Sequence, residues 1–134
     1  MELTFGRIII LVNDYDEAFG FYERTLFCKK FFDLNENGNR FLHISLNAHD
    51  KTGIWFLKAE TEGQKLRVGN QTSGQPVFVL YTDSLDEFYE HLLNENVTIV
   101  HEPIEKSDSK FFHFLDLYGN EIVLVEMKTE ISSV

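Results

Sequence analysis

A strand-like run, an aspartate and a Phe-Tyr-Glu helix follow one another twice in this chain, and this duplication limits the fold more than any other feature. The first copy comprises residues 8–12, Asp14 and residues 21–26, and the second comprises residues 77–81, Asp83 and residues 88–93. The same order of elements in two halves indicates an internal repeat. Because 134 residues suffice for one ordinary core, we expect a single domain at 1–134, with module one at 3–58, a linker at 59–75 and module two at 76–127.

Hydrophobic periodicity predicts the order βαβββ in each module. Helical spacing predicts helices at 15–27 and 84–95, preceded by the capping-box pairs Asp14 with Glu17 and Ser84 with Glu87. Runs of β-prone residues between Gly, Asn and Asp turns predict strands at 3–12, 29–33, 40–46, 54–58, 77–81, 98–101, 111–115 and 122–125. Residues 59–75 show neither period and are interpreted as a surface loop. The predicted fold class is therefore α+β, with two βαβββ modules.

The charge and the composition of the chain indicate which partners it can bind and what its core contains. A formal net charge of −10, spread along the chain, argues against a nucleic-acid partner and favours a cationic ligand or partner, although solubility alone is the simpler explanation. The 13 Phe and 5 Tyr indicate a core or cavity lined with aromatic rings. Because Cys28 is the only cysteine, it cannot form an internal disulfide or a thiolate cluster, and we expect a buried structural thiol.

The N-terminal sequence carries no membrane or export signal. Its apolar run is too short to span a bilayer, and it lacks the basic start of a signal peptide. We therefore expect a soluble, cytoplasmic protein without a membrane partner.

Three segments carry a resemblance to a known family: the strand end Val12, Asn13 and Asp14, the pair Phe21 and Tyr22 with Leu26, and the turn from Asp116 to Asn120 with Ile122 and Leu124. Together they resemble the vicinal oxygen chelate superfamily over residues 3–126. That group includes glyoxalase I, extradiol dioxygenases, fosfomycin resistance enzymes and bleomycin resistance proteins. Where that family has Pro in the last hairpin, this chain has Leu117. The resemblance implies paired βαβββ modules whose mixed sheets curl into a half-open cup, often completed by a second subunit, and hence a homodimer.

In the enzymes of that superfamily, the cup holds a divalent metal bound by His and Glu side chains, one from each of four strands. Transferred position by position, these ligands fall on Arg7, Val77, Val123 and a residue within 55–57, of which Phe56 is the expected one. Valine and phenylalanine offer a metal no lone pair, and a guanidinium keeps its proton. The resemblance therefore implies that the usual metal site is absent, and no metal cofactor is expected.

The candidate ligand-binding residues are those expected to face the cup: Arg7, His43, Trp55, Phe56, Val77, Val79, Tyr81, His113 and Val123. Arg7 either binds an anionic or carbonyl group of a ligand, or it forms a structural ion pair or reaches solvent. His43 and His113 either make a relocated metal site or are ordinary hydrogen-bonded or surface histidines. Strand alternation prevents Trp55 and Phe56 from both facing the cup. The other histidines are expected in a turn, on a helix surface and at a strand end, in the order His49, His91 and His101.

Three functions remain compatible with this sequence. The first is a metal-free protein that binds or sequesters a small organic molecule, aromatic or cationic, as bleomycin resistance proteins do. The alternative is a lyase, isomerase or dioxygenase of the same superfamily, with unconventional metal ligands such as His43 or His113, or with Arg7 supplying electrostatic stabilisation. The third is a structural or regulatory protein whose cup is filled. The sequence identifies no catalytic residue.

Overall fold

The structure is a computed structural model that describes residues 1–47 and 51–128, and these residues form eight strands and three helices. In chain order the elements are β1 (Arg7–Val12), α1 (Tyr15–Leu26), β2 (Lys29–Glu36), β3 (Asn39–Ser45), β4 (Gly53–Lys58), α2 (Glu62–Arg67), β5 (Phe78–Tyr81), α3 (Leu85–Asn94), β6 (Ile99–Glu105), β7 (Ser109–Leu115) and β8 (Glu121–Met127). The chain divides into two compact units, unit 1 at Met1–Gly69 and unit 2 at Asn70–Val134. The boundary falls inside the segment predicted as a linker. His49 lies outside the described residues.

Unit 1 contains one open, mixed sheet with the strand order β1-β4-β3-β2. Strand β1 is parallel to β4, and the other pairs are antiparallel. Even-numbered residues of β1, β3 and β4 form the core, because successive side chains of a strand point to opposite faces. Phe56 of β4 is 0% exposed and makes an edge-to-face contact with Tyr22 of α1, with ring centroids 5.5 Å apart. Helix α1 therefore covers the even-numbered face.

Unit 2 repeats this design with the strand order β5-β8-β7-β6, in which β5 is parallel to β8. Its core face carries Phe112 and Phe114, both 0% exposed, and Tyr89 of α3 contacts Phe112 with ring centroids 5.1 Å apart. The prediction of two βαβββ modules with mixed sheets is thus confirmed. In the described part of the chain, no helix is long and apolar enough to cross a membrane.

The two main helices begin in different ways. The side chain of Asp14 accepts a hydrogen bond from the backbone N–H of Glu17 at 2.8 Å, as the first capping-box pair predicted. The second prediction is wrong, because the side chain of Ser84 makes no capping hydrogen bond. Instead, Oε1 of Glu126 accepts a hydrogen bond from the N–H of Leu85 at 3.0 Å. A carboxylate from β8 therefore caps α3.

Several elements also differ from the predictions, three of them clearly. The first strand begins at Arg7 rather than at residue 3, and Leu3 and Phe5 are exposed. The segment predicted as a loop contains the short helix α2, which a capping box at Thr61 starts. Six residues are too few to show a helical period, so the pattern could not reveal it. The prediction that β6 ends at His101 is wrong as well, because the strand continues through Pro103.

A buried carboxylate stabilises one turn of unit 2. The carboxylate of Asp116 accepts hydrogen bonds from the N–H of Tyr118, the N–H of Asn120 and Nδ2 of Asn120, at 3.0, 2.9 and 2.9 Å. These bonds close the turn between β7 and β8, where Gly119 has a φ of 99°.

Cys28 is 0% exposed, and burial raises the pKa of its thiol to about 12. The expected buried structural thiol is therefore confirmed.

Candidate functional site

The odd-numbered residues of β1, β3 and β4 lie on the sheet face of unit 1 that α1 does not cover, here called the helix-free face. One row of register partners crosses this face from β1 to β2: Ile9, Trp55, His43 and Phe32. The imidazole of His43 lies between two rings, with its centroid 5.1 Å from that of Trp55 and 4.3 Å from that of Phe32. Trp55, His43 and Phe32 thus form a continuous run of flat side chains on a partly exposed surface.

Arg7 lies beside this row at the start of β1. Its Nε donates a hydrogen bond to Nδ1 of His43 at 3.1 Å, and its Nη1 donates to the backbone oxygens of Gly6 and Lys51. Its guanidinium carbon lies 4.2 Å from the ring centroid of Phe31, a cation–π contact. Arg7 is therefore fixed in place by His43, backbone carbonyls and an aromatic ring.

The ionisation of His43 follows from these neighbours. Desolvation by burial, and then the positive charge of Arg7, lower the pKa of His43 below its ordinary value. Because Nδ1 accepts a hydrogen bond from Arg7, the proton of the neutral ring is on Nε2. At neutral pH this residue is therefore an uncharged imidazole.

Trp55 holds the one buried side-chain nitrogen or oxygen atom in the described part of the chain that has no hydrogen-bond partner, its indole Nε1. A buried donor without an acceptor costs about 1–3 kcal/mol. Such orphaned groups are rare in folded proteins and call for a physical explanation.

Unit 2 has an equivalent row, formed by Val79, Val123, His113 and His101. Val79 is 51% exposed and Tyr81, on the same face of β5, is 66% exposed. Val77 precedes β5 and donates its N–H to the backbone oxygen of Glu121 at 2.8 Å. The two members from β5 and β8, Val79 and Val123, make this half of the row apolar.

His113, the member of this row from β7, lies beside a carboxylate. Its Nδ1 lies 2.6 Å from Oε2 of Glu121, and the side chains of the two residues are 18% and 21% exposed. The imidazole centroids of His101 and His113 are 4.8 Å apart. A carboxylate and two imidazoles therefore meet on the helix-free face of unit 2, which consists of the odd-numbered side chains of β5, β7 and β8 together with His101.

The sequence matches a known protein family over most of its length. The family model described as "Glyoxalase/Bleomycin resistance protein/Dioxygenase superfamily" matches residues 4–124. The chain belongs to this superfamily. A relative, an uncharacterized protein of Shewanella frigidimarina (strain NCIMB 400), is 29% identical over an alignment of 126 residues, and the match covers 90% of each chain.

Two solved structures share the glyoxalase-type fold of this chain. UcmS2 is 24% identical, with a TM-score of 0.82 over 93% of this chain and 98% of its own. TnmS3, an antibiotic binding protein from Streptomyces sp. CB03234, is 19% identical, with a TM-score of 0.78 over 95% of this chain and 98% of its own. At these identities the likeness establishes the fold.

The internal repeat corrects one position of the expected superfamily metal site. Val123 pairs with Val79 and His113, and the residue with equivalent partners in unit 1 is Trp55, which pairs with Ile9 and His43. Phe56 is therefore neither the equivalent position nor part of the helix-free face. It belongs to the core, so its inclusion among the ligand-binding candidates is wrong.

The residues at the superfamily ligand positions do not fit a divalent metal. With the correction, the positions that the resemblance assigns to the ligands carry Arg7, Trp55, Val77 and Val123, and none of these residues has a lone pair that a metal can use. Within residues 1–47 and 51–128, no group of three or more His, Cys, Asp or Glu side chains is arranged to hold an ion.

Sequence reasoning missed four residues that contact these sites: Phe31, Phe32, His101 and Glu121. Three of them lie at irregularities of the sheets, where register shifts occur between Lys30 and Phe32 and on both sides of His101. Glu121 could have been found, because β8 begins one residue earlier than predicted and Glu121 alternates with Val123.

Proposed function

We propose that this superfamily member binds a small aromatic molecule on the helix-free face of unit 1, without chemistry and without a metal at the superfamily positions. The observation that carries the proposal is the row of flat side chains at His43 and Trp55, bordered by the fixed guanidinium of Arg7. A planar ligand gains offset stacking on such rings, worth about 0.5–1.5 kcal/mol for each pair beyond burial.

The cation beside the stack gives the site a chemical preference. The guanidinium of Arg7 carries a permanent charge. It favours a ligand with a carbonyl or anionic oxygen, whereas the net charge of −10 favours a cationic ligand at long range. Close contacts outweigh a field that salt screens, so we propose an aromatic carbonyl or carboxylate compound.

Two further observations support binding rather than catalysis. TnmS3, which shares this fold, is an antibiotic binding protein. The donor set at the superfamily metal positions is also unsuited to a Lewis-acid mechanism, since it lacks His and Glu.

Intrinsic fluorescence tests this proposal directly, because Trp55 is the only tryptophan. Benzoate, benzyl alcohol and benzylammonium share a ring and differ in charge, and each is titrated into the protein while tryptophan emission is recorded. We expect a saturable change that is strongest for benzoate. Arg7→Met is expected to weaken benzoate binding by about tenfold, which corresponds to 1.4 kcal/mol.

The matched control is Arg24→Met, which removes an arginine of α1 that stacks on Phe21. It should leave the titration unchanged. The proposal fails if no probe produces a saturable change in emission and mass spectrometry of the purified protein finds no bound small molecule. It also fails if a divalent ion is found coordinated at the positions of Arg7, Trp55, Val77 and Val123.

A further inference from the structure

Two imidazoles lie side by side on the helix-free face of unit 2. His101 of β6 and His113 of β7 are register partners, and their ring planes cross at 88° with centroids 4.8 Å apart. His101 is exposed and His113 is half-buried, so neither side chain is part of the hydrophobic core.

Strand irregularities bring His101 to this position. Register shifts separate Ile99 from His101 and His101 from Ile104. Ile99 is opposite Phe114, a core residue, and counting by twos from Ile99 would turn His101 towards the face that α3 covers. The extra residue, Val100, reverses the alternation. β-Bulges of this kind re-aim side chains and are frequent next to functional sites.

The carboxylate of Glu121 determines which nitrogen of His113 is available. An ionised carboxylate can only accept a hydrogen bond, so Nδ1 of His113 donates to Oε2 of Glu121 over 2.6 Å. Nε2 of the neutral ring then keeps its lone pair. A carboxylate on the far ring nitrogen is the arrangement that orients metal-binding histidines and increases their basicity.

We propose that His101 and His113 bind a transition-metal ion such as Zn²⁺ or Co²⁺, with Glu121 as the positioning residue. Imidazole nitrogens suit these borderline-soft ions, and the acidic chain attracts cations. Two protein ligands leave coordination positions that water or a donor atom of a small molecule fills. The site lies outside the superfamily ligand positions and goes beyond the function proposed above, which rests on unit 1.

Titration of the full chain with Co²⁺ and Zn²⁺ tests this site. Calorimetry gives the affinity, and the visible spectrum of Co²⁺ reports the ligands. We expect one equivalent of metal to bind the wild type, and His101→Asn or His113→Asn to abolish saturable binding. Glu121→Gln should weaken binding by about 10–100-fold while leaving the Co²⁺ spectrum at saturation unchanged, because the ligands are the same.

The matched control is His91→Asn on α3, which should bind like the wild type. The proposal is overturned if the wild type binds no metal saturably, or if His113→Asn retains the wild-type affinity. If a variant fails to fold, the imidazole NMR signals of the wild type show whether the metal binds at His101 and His113. Those of His101 and His113 must shift or broaden first as Zn²⁺ or Co²⁺ is added, and a response of other histidines alone would refute the site. These titrations contain no aromatic probe, so their failure leaves the ligand site of unit 1 untouched.

Discussion

His43 and His113 occupy equivalent positions in two sheets of the same strand order, yet they have partners of opposite charge. The partner of His43 is Arg7, which donates to Nδ1, and the partner of His113 is Glu121, which accepts from Nδ1. In their neutral forms the two rings are therefore opposite tautomers. One duplicated scaffold thus presents a ring for stacking in unit 1 and a nitrogen lone pair in unit 2.

This difference predicts a specific titration of His43. Its pKa is expected below the ordinary value of about 6.5, because the ring is desolvated and faces Arg7. Arg7→Met should raise that pKa without restoring the ordinary value, since desolvation is the larger cause. Histidine NMR signals followed against pH give both values. A midpoint that stays the same in Arg7→Met, or that moves equally in the control Arg24→Met, would contradict this assignment.

Alternation along strands allowed most of the fold to be predicted from the sequence. The two modules, the buried thiol of Cys28 and the cap at Asp14 follow from local patterns that tertiary packing does not disturb. Where a bulge adds a residue to a strand, the alternation of side chains no longer predicts which face a residue is on. Phe31 and Phe32 are neighbours in sequence, yet their rings contact Arg7 and His43 respectively.

Contacts between residues that are far apart in the sequence could not be predicted either. Nothing near Ser84 in the sequence indicates that Glu126 caps α3, since these residues are 42 positions apart. The register that makes Trp55, rather than Phe56, equivalent to Val123 requires knowledge of the strand pairs. Local patterns carry no information on either relationship.

The placement of Phe56 in the core predicts a large loss of stability on truncation. Phe56→Ala should lower the free energy of unfolding by about 3–5 kcal/mol, and Phe56→Leu by about 1 kcal/mol, because the ring is fully enclosed beside Tyr22. Urea unfolding followed by circular dichroism gives both values. Leu66→Ala, at a side chain that is 77% exposed, should change stability by less than about 0.5 kcal/mol. Equal effects at Phe56 and Leu66 would refute the core assignment.

The cap of α3 gives a second stability test, because Glu126 caps this helix in place of Ser84. Glu126→Ala should cost about 1 kcal/mol, because the N–H of Leu85 loses its acceptor in a buried position. Ser84→Ala should cost much less, since its hydroxyl does not cap the helix. Chemical denaturation of the two variants side by side measures the difference. A greater loss in Ser84→Ala than in Glu126→Ala would restore the capping box predicted from the sequence.

The ion pair between Asp33 and Arg40 makes the free energy of unfolding of this protein depend on pH in the acidic range. Nε and Nη2 of Arg40 donate to the two carboxylate oxygens of Asp33, each at 2.8 Å, and these bonds lower the pKa of Asp33 to about 2. In the unfolded chain that pKa is about 3.9. The unfolded state therefore binds more protons between these values, and the contribution is full above about pH 4 and is lost as the pH falls towards 2. Allowing for partial exposure, we expect about 1 kcal/mol. Urea unfolding from pH 6 to 2 should show this decrease in the wild type and in Arg67→Gln, and Arg40→Gln should show a much smaller one, because only Lys30 then still donates to Asp33, at 3.2 Å. An unchanged difference between wild type and Arg40→Gln across this range would show that the pair does not titrate as the geometry requires.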